Sequence, residues 1–210
     1  MREALNISSP TVVIEGIATD IFEYIDNIPQ EKGTKTVLYS GGLTKKYGVI
    51  ELLNAFERLQ DENCRLVICG SGDAENDIIE ASNRDRRIIF KGLLPRKEVL
   101  SLQKSSTILV NQRSNNEEYT KYSFPSKIIE YLSSGTPVVS YILDGMPEEY
   151  CKYIYPVSDD NNGLFITLKE VLCKDEEELC NKGQRAKEFV LTYKNAAKQG
   201  EKILQMVSRL

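Results

Sequence analysis

Short runs of apolar and β-branched residues recur along the chain, and between most of them lie longer stretches whose apolar positions return every three or four residues. The runs are Thr11–Glu15 (TVVIE), Thr36–Gly42 (TVLYSGG), Arg65–Gly70 (RLVICG), Arg87–Gly92 (RIIFKG), Ser106–Gln112 (STILVNQ) and Thr136–Tyr141 (TPVVSY). Residues 47–59 (YGVIELLNAFERL) show the helical spacing, with Val49, Ile50, Leu52, Leu53, Phe56 and Leu59 on a 3.6-residue period. Further helices are expected over 73–82, 95–105 and 125–134. Strands alternating with helices of this length make right-handed βαβ crossovers and a parallel sheet. The pattern therefore predicts a doubly wound, Rossmann-like α/β domain.

From Ser158 the alternation stops. Residues 158–174, 175–193 and 194–210 read as three helices, the first two opened by acidic residues that suit a helix N-terminus.

Composition narrows the chemistry. Hydrophobic residues at 41% and charged residues at 28% are ordinary globular values. A net charge of -4 gives no general attraction to nucleic acid or to an anionic membrane, so any phosphate must be held by local geometry. The N-terminal stretch lacks a signal pattern, and no apolar run approaches the roughly 18 residues that span a bilayer. A cytoplasmic location is expected. Five cysteines (Cys64, Cys69, Cys151, Cys173 and Cys180) form no CxxC pair and read as buried free thiols. The absence of histidine excludes Ser-His and Cys-His nucleophile systems and a histidine-bound metal.

Four loops stand where an open parallel sheet holds ligands, beyond the carboxyl ends of its strands. In YSGGLTKKYG (39–48), Gly41 and Gly42 allow close backbone approach, and Lys45 and Lys46 are available to an anion, although the P-loop spacing fails at Tyr47. CGSGD (69–73) starts like a dinucleotide fingerprint, but the third glycine is replaced by Glu75; a plain turn capped by Asp73 competes with a ligand contact. KGLLPRKEV (91–99) exposes the backbone of Gly92 to Leu94 before Pro95 starts a helix, which suits either a nucleobase edge or a simple turn.

The fourth is YSFPSKIIEYLSSGTPVV (122–139). A helix begun at Pro125 puts Ser126, Lys127, Glu130 and Ser134 on one polar stripe of about 100° of arc, with Ile128, Ile129 and Leu132 opposite. Two readings of Glu130 stay open here. It forms a solvated (i, i+3) pair with Lys127, or it accepts hydrogen bonds from the two cis hydroxyls of a ribose while the helix start takes a phosphate.

In order and content, VIEGIATDIF, YSGGLTKKYGVIELLNAF, LVICGSGD, IIFKGLLPRKEVLSLQKSSTILVNQ and FPSKIIEYLSSGTPVVS resemble the C-terminal, donor-binding half of the retaining glycosyltransferases of GT-B architecture, the glycosyl transferases group 1 family. The resemblance runs from about Val12 to Ser140, and the terminal helix 183–208 is also similar. It implies a donor site for a UDP- or GDP-sugar in which Glu130 grips the ribose, Leu93 and Leu94 meet the base, and Tyr122, Ser123, Phe124, Ser126 and Lys127 lie near the phosphates and sugar, beside Gly41, Gly42, Lys45 and Lys46. It assigns no catalytic residue. No cofactor beyond the donor substrate and no metal is expected, since Asp159 and Asp160 open a helix and no Asp-x-Asp pair is present.

Three positions depart from the resemblance. The first glutamate of the family's Glu-(seven residues)-Glu pattern falls at Tyr122, its arginine after the glycine at Gly42, and its lysine before the next glycine at Tyr47. Lys45, Lys46 or Lys127 would then neutralise the diphosphate. The resemblance further implies a nucleotide-sugar-binding domain over 1–182 and a helical segment, 183–210, that would pack on a missing N-terminal acceptor-binding domain of the same or another chain. Nucleic acid is not an expected partner, and membrane contact would be peripheral, through that missing half. The implied activity is sugar transfer in polysaccharide or glycoconjugate synthesis. The rivals are a catalytically silent nucleotide-binding or assembly module and a nucleotide-sugar epimerase.

Overall fold

The structure, a computed structural model, describes residues 9–29, 31–115, 120, 122 and 124–209. Six parallel strands form one sheet: β1 (Lys35–Gly42), β2 (Cys64–Ser71), β3 (Ile88–Phe90), β4 (Ile108–Asn111), β5 (Val138–Tyr141) and β6 (Tyr155–Val157), in the order β3-β2-β1-β4-β5-β6. Helices α1 (Val49–Glu57), α2 (Glu75–Arg84), α3 (Arg96–Ser105) and α4 (Ser126–Ser134) make the crossovers, and α5 (Gly163–Leu172), α6 (Glu176–Tyr193) and α7 (Ala196–Val207) follow. This is the expected Rossmann-like α/β fold.

Alternate strand residues feed two cores. Val37, Leu66, Ile68 and Ile108 pack with α1, α2 and α5 on one face of the sheet. Leu38, Val67, Leu109 and Val138 pack with α4 and α6 on the other. A sheet covered on both faces is why its strands read as continuous apolar runs.

Two expectations about the strands are corrected. Thr11–Glu15 forms no strand; Val13 and Ile17 are exposed, and this entry segment is tied instead to the α6–α7 junction by an isolated bridge between Ala18 and Asn195. The sixth strand is Tyr155–Val157, in a stretch without a predicted strand. Pro156 conceals it, because proline lacks the N–H of a central strand and is confined to edges, and β6 pairs only with β5.

The three terminal helices form as expected, though only α6 has the acidic cap, Asp175 Oδ1 accepting from Glu178 N at 2.7 Å. At the start of α5 the cap residue is Asn162, without a side-chain cap bond. Position 183 lies inside α6, where a Cβ on Gly183 would stand 1.9 Å from the Gly135 carbonyl oxygen. The buried Ala186, Phe189 and Val190 that follow belong to this domain's core, whereas α7 leaves Ile203, Leu204 and Val207 exposed. The junction is bound by buried charges: Lys194 Nζ lies 3.1 Å from Glu15 Oε1 and 2.5 Å from Glu149 Oε1, and Gln199 Nε2 donates to Gly16 O at 2.9 Å.

The order of the strands fixes where a ligand would enter. After β2 and β3 have been laid on one side of β1, the chain returns through α3 to place β4 on the other. The loops leaving the carboxyl ends of β1 and β4 therefore part, and a crevice opens between them.

Candidate functional site

β1 ends in two glycines, and β2 has Gly70 as its penultimate residue, because their backbones meet. Gly70 has φ +140°, and a Cβ there would stand 1.8 Å from the Gly41 carbonyl oxygen. The glycines of CGSGD thus serve packing rather than a dinucleotide turn. Asp73 does not cap α2; its Oδ1 accepts from Lys45 N at 2.8 Å, at the start of a short 3-10 helix (Lys45–Tyr47), and the α2 cap residue is Ala74.

Glu130 does not pair with Lys127. Its Oε1 accepts from Gln103 Nε2 at 2.8 Å, and its Oε2 faces Arg96 Nη2 at 3.3 Å. Gln103, fully buried on α3, also donates to Ser40 Oγ at 3.0 Å, and the hydroxyl of the fully buried Tyr131 donates to Ser40 O at 3.1 Å. Burial drives the Tyr131 phenol well above its ordinary pKa, so it stays a neutral donor. A chain of buried side chains from three elements thereby sets the carboxylate of Glu130, which keeps 28% of its side chain exposed. A carboxylate fixed in this way and open on one side presents acceptors to an incoming pair of hydroxyls.

Lys127 lies across the end of β1. A Cβ on Gly41 would fall 2.3 Å from its Nζ, so the glycine makes room for the ammonium. Burial lowers the Lys127 pKa, partly opposed by the charge of Glu130. Among the described residues the ammonium makes no hydrogen bond or ion pair. A desolvated cation at the start of a helix that carries free N–H groups is suited to an anion.

Two adjoining cavities meet at Lys127. One of about 410 Å³ is lined by Gly41, Leu93, Leu94, Arg96, Lys127 and Glu130. The other, of about 240 Å³, lies at the β1–β4 crevice between Gly42, Tyr47, Gln112, Arg113, Ser126 and Lys127. The expected residues Gly41, Gly42, Leu93, Leu94, Phe124, Ser126, Lys127 and Glu130 are thus brought to one cleft.

Others stand apart. Lys45 pairs with Asp77 at 2.8 Å on α2, and Lys46 lies with its ammonium 5.5 Å from the Tyr47 ring centroid; neither lines the cleft. Tyr122 is exposed, and Ser123 lies outside the described residues. Ser134 is buried rather than on a solvated stripe, its Oγ donating to Tyr131 O at 2.6 Å.

Gln103, Arg96, Gln112 and Arg113 were not predicted. Gln103 sits in an otherwise ordinary helix, and only its zero exposure distinguishes it; Gln112 and Arg113 follow β4 directly, the one position from which the strand-end rule could have found them. Cys64 and Cys69 are buried, and burial pushes the Cys69 thiol up to about 11. Cys173, just past the end of α5, and Cys180, on α6, are exposed, and Cys151 is only partly buried, contrary to expectation. Among the described residues no three His, Cys, Asp or Glu side chains cluster in a way that could hold a metal ion.

The profile of the family described as "Glycosyl transferases group 1" matches residues 20–189, from the 3-10 helix at Ile21–Tyr24 to the middle of α6. The chain belongs to the glycosyl transferases group 1 family. No curated protein sequence matches it. As a member of this family it shares the Rossmann-like fold of solved GT-B glycosyltransferases. TarM superposes with a TM-score of 0.68 at 18% identity, over 87% of this chain and 37% of TarM. HepE of Anabaena, solved in complex with UDP and glucose, gives 0.68 at 14% identity over 85% of this chain and 49% of HepE. WaaG, a glycosyltransferase involved in lipopolysaccharide biosynthesis, gives 0.65 at 14% identity over 83% and 47%. This group 1 chain therefore spans less than half the length of the three structures.

Proposed function

We propose that this chain is the donor-binding half of a retaining glycosyltransferase, a hexosyltransferase of cytoplasmic polysaccharide or glycoconjugate synthesis that uses a UDP- or GDP-sugar. The observation that carries the reading is the pairing, one turn apart on α4, of a carboxylate oriented by buried donors and a desolvated ammonium that makes no hydrogen bond or ion pair among the described residues, at the sheet's switch point. Glu130 would accept from the ribose hydroxyls and Lys127 would face the diphosphate. The base would lie on the exposed Leu93 and the partly buried Leu94.

In the transfer, the bond between the anomeric carbon and the diphosphate oxygen breaks and its electron pair leaves with the diphosphate. The acceptor oxygen takes over the carbon, and its proton passes to the departing diphosphate. The role of this half is electrostatic: Lys127 and the N–H groups at the α4 start offset the charge that develops on the leaving group. The acceptor would be held by a further domain, in the same or another chain. The exposed face of α7 within the 183–210 segment is where it would dock. Any contact with a membrane would come through that domain, since no helix among the described residues is long and apolar enough to cross one.

Gly42, Tyr47 and Tyr122 favour a second reading, a catalytically silent nucleotide-binding module, because all three lack charges that the resemblance leads one to expect.

The test is calorimetric titration of the chain with UDP, GDP, uridine and guanosine, beside a Glu130→Ala variant. One diphosphate is expected to bind saturably, and the variant to lose it. A folded chain that binds none of the four would overturn the donor-site reading. Turnover with an acceptor domain supplied in trans separates the enzyme from the silent module.

A further inference from the structure

A carboxylate that grips a ribose one helical turn from a diphosphate repels the group it helps to bind. Glu130 and Lys127 stand in that relation on α4. The charged side chains lining the cavity of about 410 Å³ are Lys127, Glu130 and Arg96. The first two cancel in net charge, so this cavity's attraction for an anion depends on Arg96.

Arg96 stands where that offset is needed. Its Nη2 lies 3.3 Å from Glu130 Oε2, while Gln103 holds the other oxygen, Oε1. The fold gains little from the contact, because the Arg96 side chain is 70% exposed and pairs so exposed contribute little to stability. Nor does α3 gain from it: Arg96 is the first residue of that helix, where the positive end of the dipole disfavours a cation. A residue placed against its local preference without a gain in stability belongs to a functional site. The pair also leaves Glu130 able to receive a ligand. A carboxylate offers about four lone-pair sites, and with Gln103 and Arg96 each on one, two remain for the ribose hydroxyls.

We propose that Arg96 is the charge-compensating residue of the donor site: its guanidinium offsets the Glu130 carboxylate, so that Glu130 can hold the ribose without repelling the diphosphate at Lys127. Arg96 acts on the phosphates through the field of the site and is a positioning residue, not a catalytic one. The proposal rests on the reading that a nucleoside diphosphate occupies this cleft.

Calorimetry on the whole chain tests it, with UDP and GDP against uridine and guanosine, for the wild type and for Arg96→Met, Arg96→Glu and Arg96→Lys, at low and high salt. In dilute buffer Arg96→Met should weaken diphosphate binding by about three- to tenfold, and Arg96→Glu by more. Nucleoside binding should stay within about twofold, because an uncharged ligand does not feel the carboxylate's charge. Arg96→Lys keeps the charge and should stay within about twofold of the wild type for both ligands. In about 0.5 M salt, where the screening length falls to about 4 Å, the loss in Arg96→Met should shrink to about twofold. A merely structural role would not follow salt in this way. Since Arg96 is exposed the variants are expected to fold, and if one does not, the others carry the test. Three results would each overturn the role of Arg96 while leaving Glu130 and Lys127 in place. They are diphosphate binding unchanged in both Arg96→Met and Arg96→Glu, a loss shared equally with the nucleosides or undiminished by salt, and nucleoside binding tightened beyond twofold in Arg96→Met, which would make Arg96 a competitor of the ribose. A folded wild type that binds neither diphosphate nor nucleoside would remove the donor-site reading and this inference with it.

Discussion

Gln103 holds Glu130: its Nε2, on a side chain with no solvent exposure, donates to Glu130 Oε1 at 2.8 Å. The donor comes from α3 and the acceptor from α4, so the carboxylate's direction is set by helix packing rather than by solvent.

Replacing Gln103 by leucine should therefore loosen Glu130 without unfolding the chain. The Oε1 of Gln103 already lacks a partner, and of the two acceptors of its Nε2 the Ser40 hydroxyl keeps Tyr131 and the part-exposed Glu130 keeps access to water. Nucleoside affinity is expected to fall by about three- to tenfold, equivalent to about 1 kcal/mol, the usual worth of one hydrogen bond. Titration with ribonucleosides and 2′-deoxyribonucleosides is the check. Wild type should prefer the ribo form, and Glu130→Ala should show no preference.

Lys127→Met should raise stability and abolish diphosphate binding together. Burial lowers the Lys127 pKa in the fold below its unfolded value, so the unfolded chain binds the proton more tightly and stability rises with pH through the interval between the two. At neutral pH the desolvated ammonium is a cost. Its removal should add about 0.5–2 kcal/mol by denaturant melts. A bound anion would raise the Lys127 pKa again, so diphosphate binding on the alkaline side should take up protons, measurable by calorimetry in buffers of different ionisation enthalpy.

Two glycine substitutions should have opposite characters. A Cβ on Gly41 meets only the flexible end of Lys127, so Gly41→Ala should cost about 1–3 kcal/mol in backbone strain and displace the ammonium, losing diphosphate affinity in a folded protein. On Gly70 the same atom meets the Gly41 carbonyl, and Gly70→Ala should cost about 3 kcal/mol or more and disturb the β1–β2 register. Thermal melts beside titrations separate the two.

Glu15→Gln should destabilise the chain by about 1–3 kcal/mol at pH 7, because the buried Lys194 loses one carboxylate partner. Burial alone would raise the Glu15 pKa, but its backbone hydrogen bond and the contacts with Lys194 and Gln199 outweigh this and lower it. A depressed carboxylate pKa gives stability that is present above the unfolded value and lost as pH falls through the folded one. The gap between wild type and variant should therefore close below about pH 4, in melts taken across that range.

Periodicity sufficed for the sheet and its crossovers, because strands buried on both faces leave continuous apolar runs that solvent-facing strands would not. It failed at two runs for one reason. Whether a run becomes a strand depends on a partner being beside it: Thr11–Glu15 has the composition without the partner, and Tyr155–Val157 has the partner behind a proline. In the cleft, strand-end glycines and the polar start of α4 were readable, since both follow from where loops leave a parallel sheet. Gln103, Arg96 and Arg113 were not, because their meaning lies in contacts made across 27 to 66 residues of chain (to Glu130 and Tyr47 respectively), which no local window contains.

The two outer strands, β3 and β6, are three residues each, and one is interrupted by Pro156. An edge of about 10 Å offers too few free backbone groups to recruit a foreign strand. A domain closed in this way cannot grow by adding strands, so any acceptor domain or second subunit must find it through helices and loops, and can be exchanged or lost without leaving an adhesive border behind.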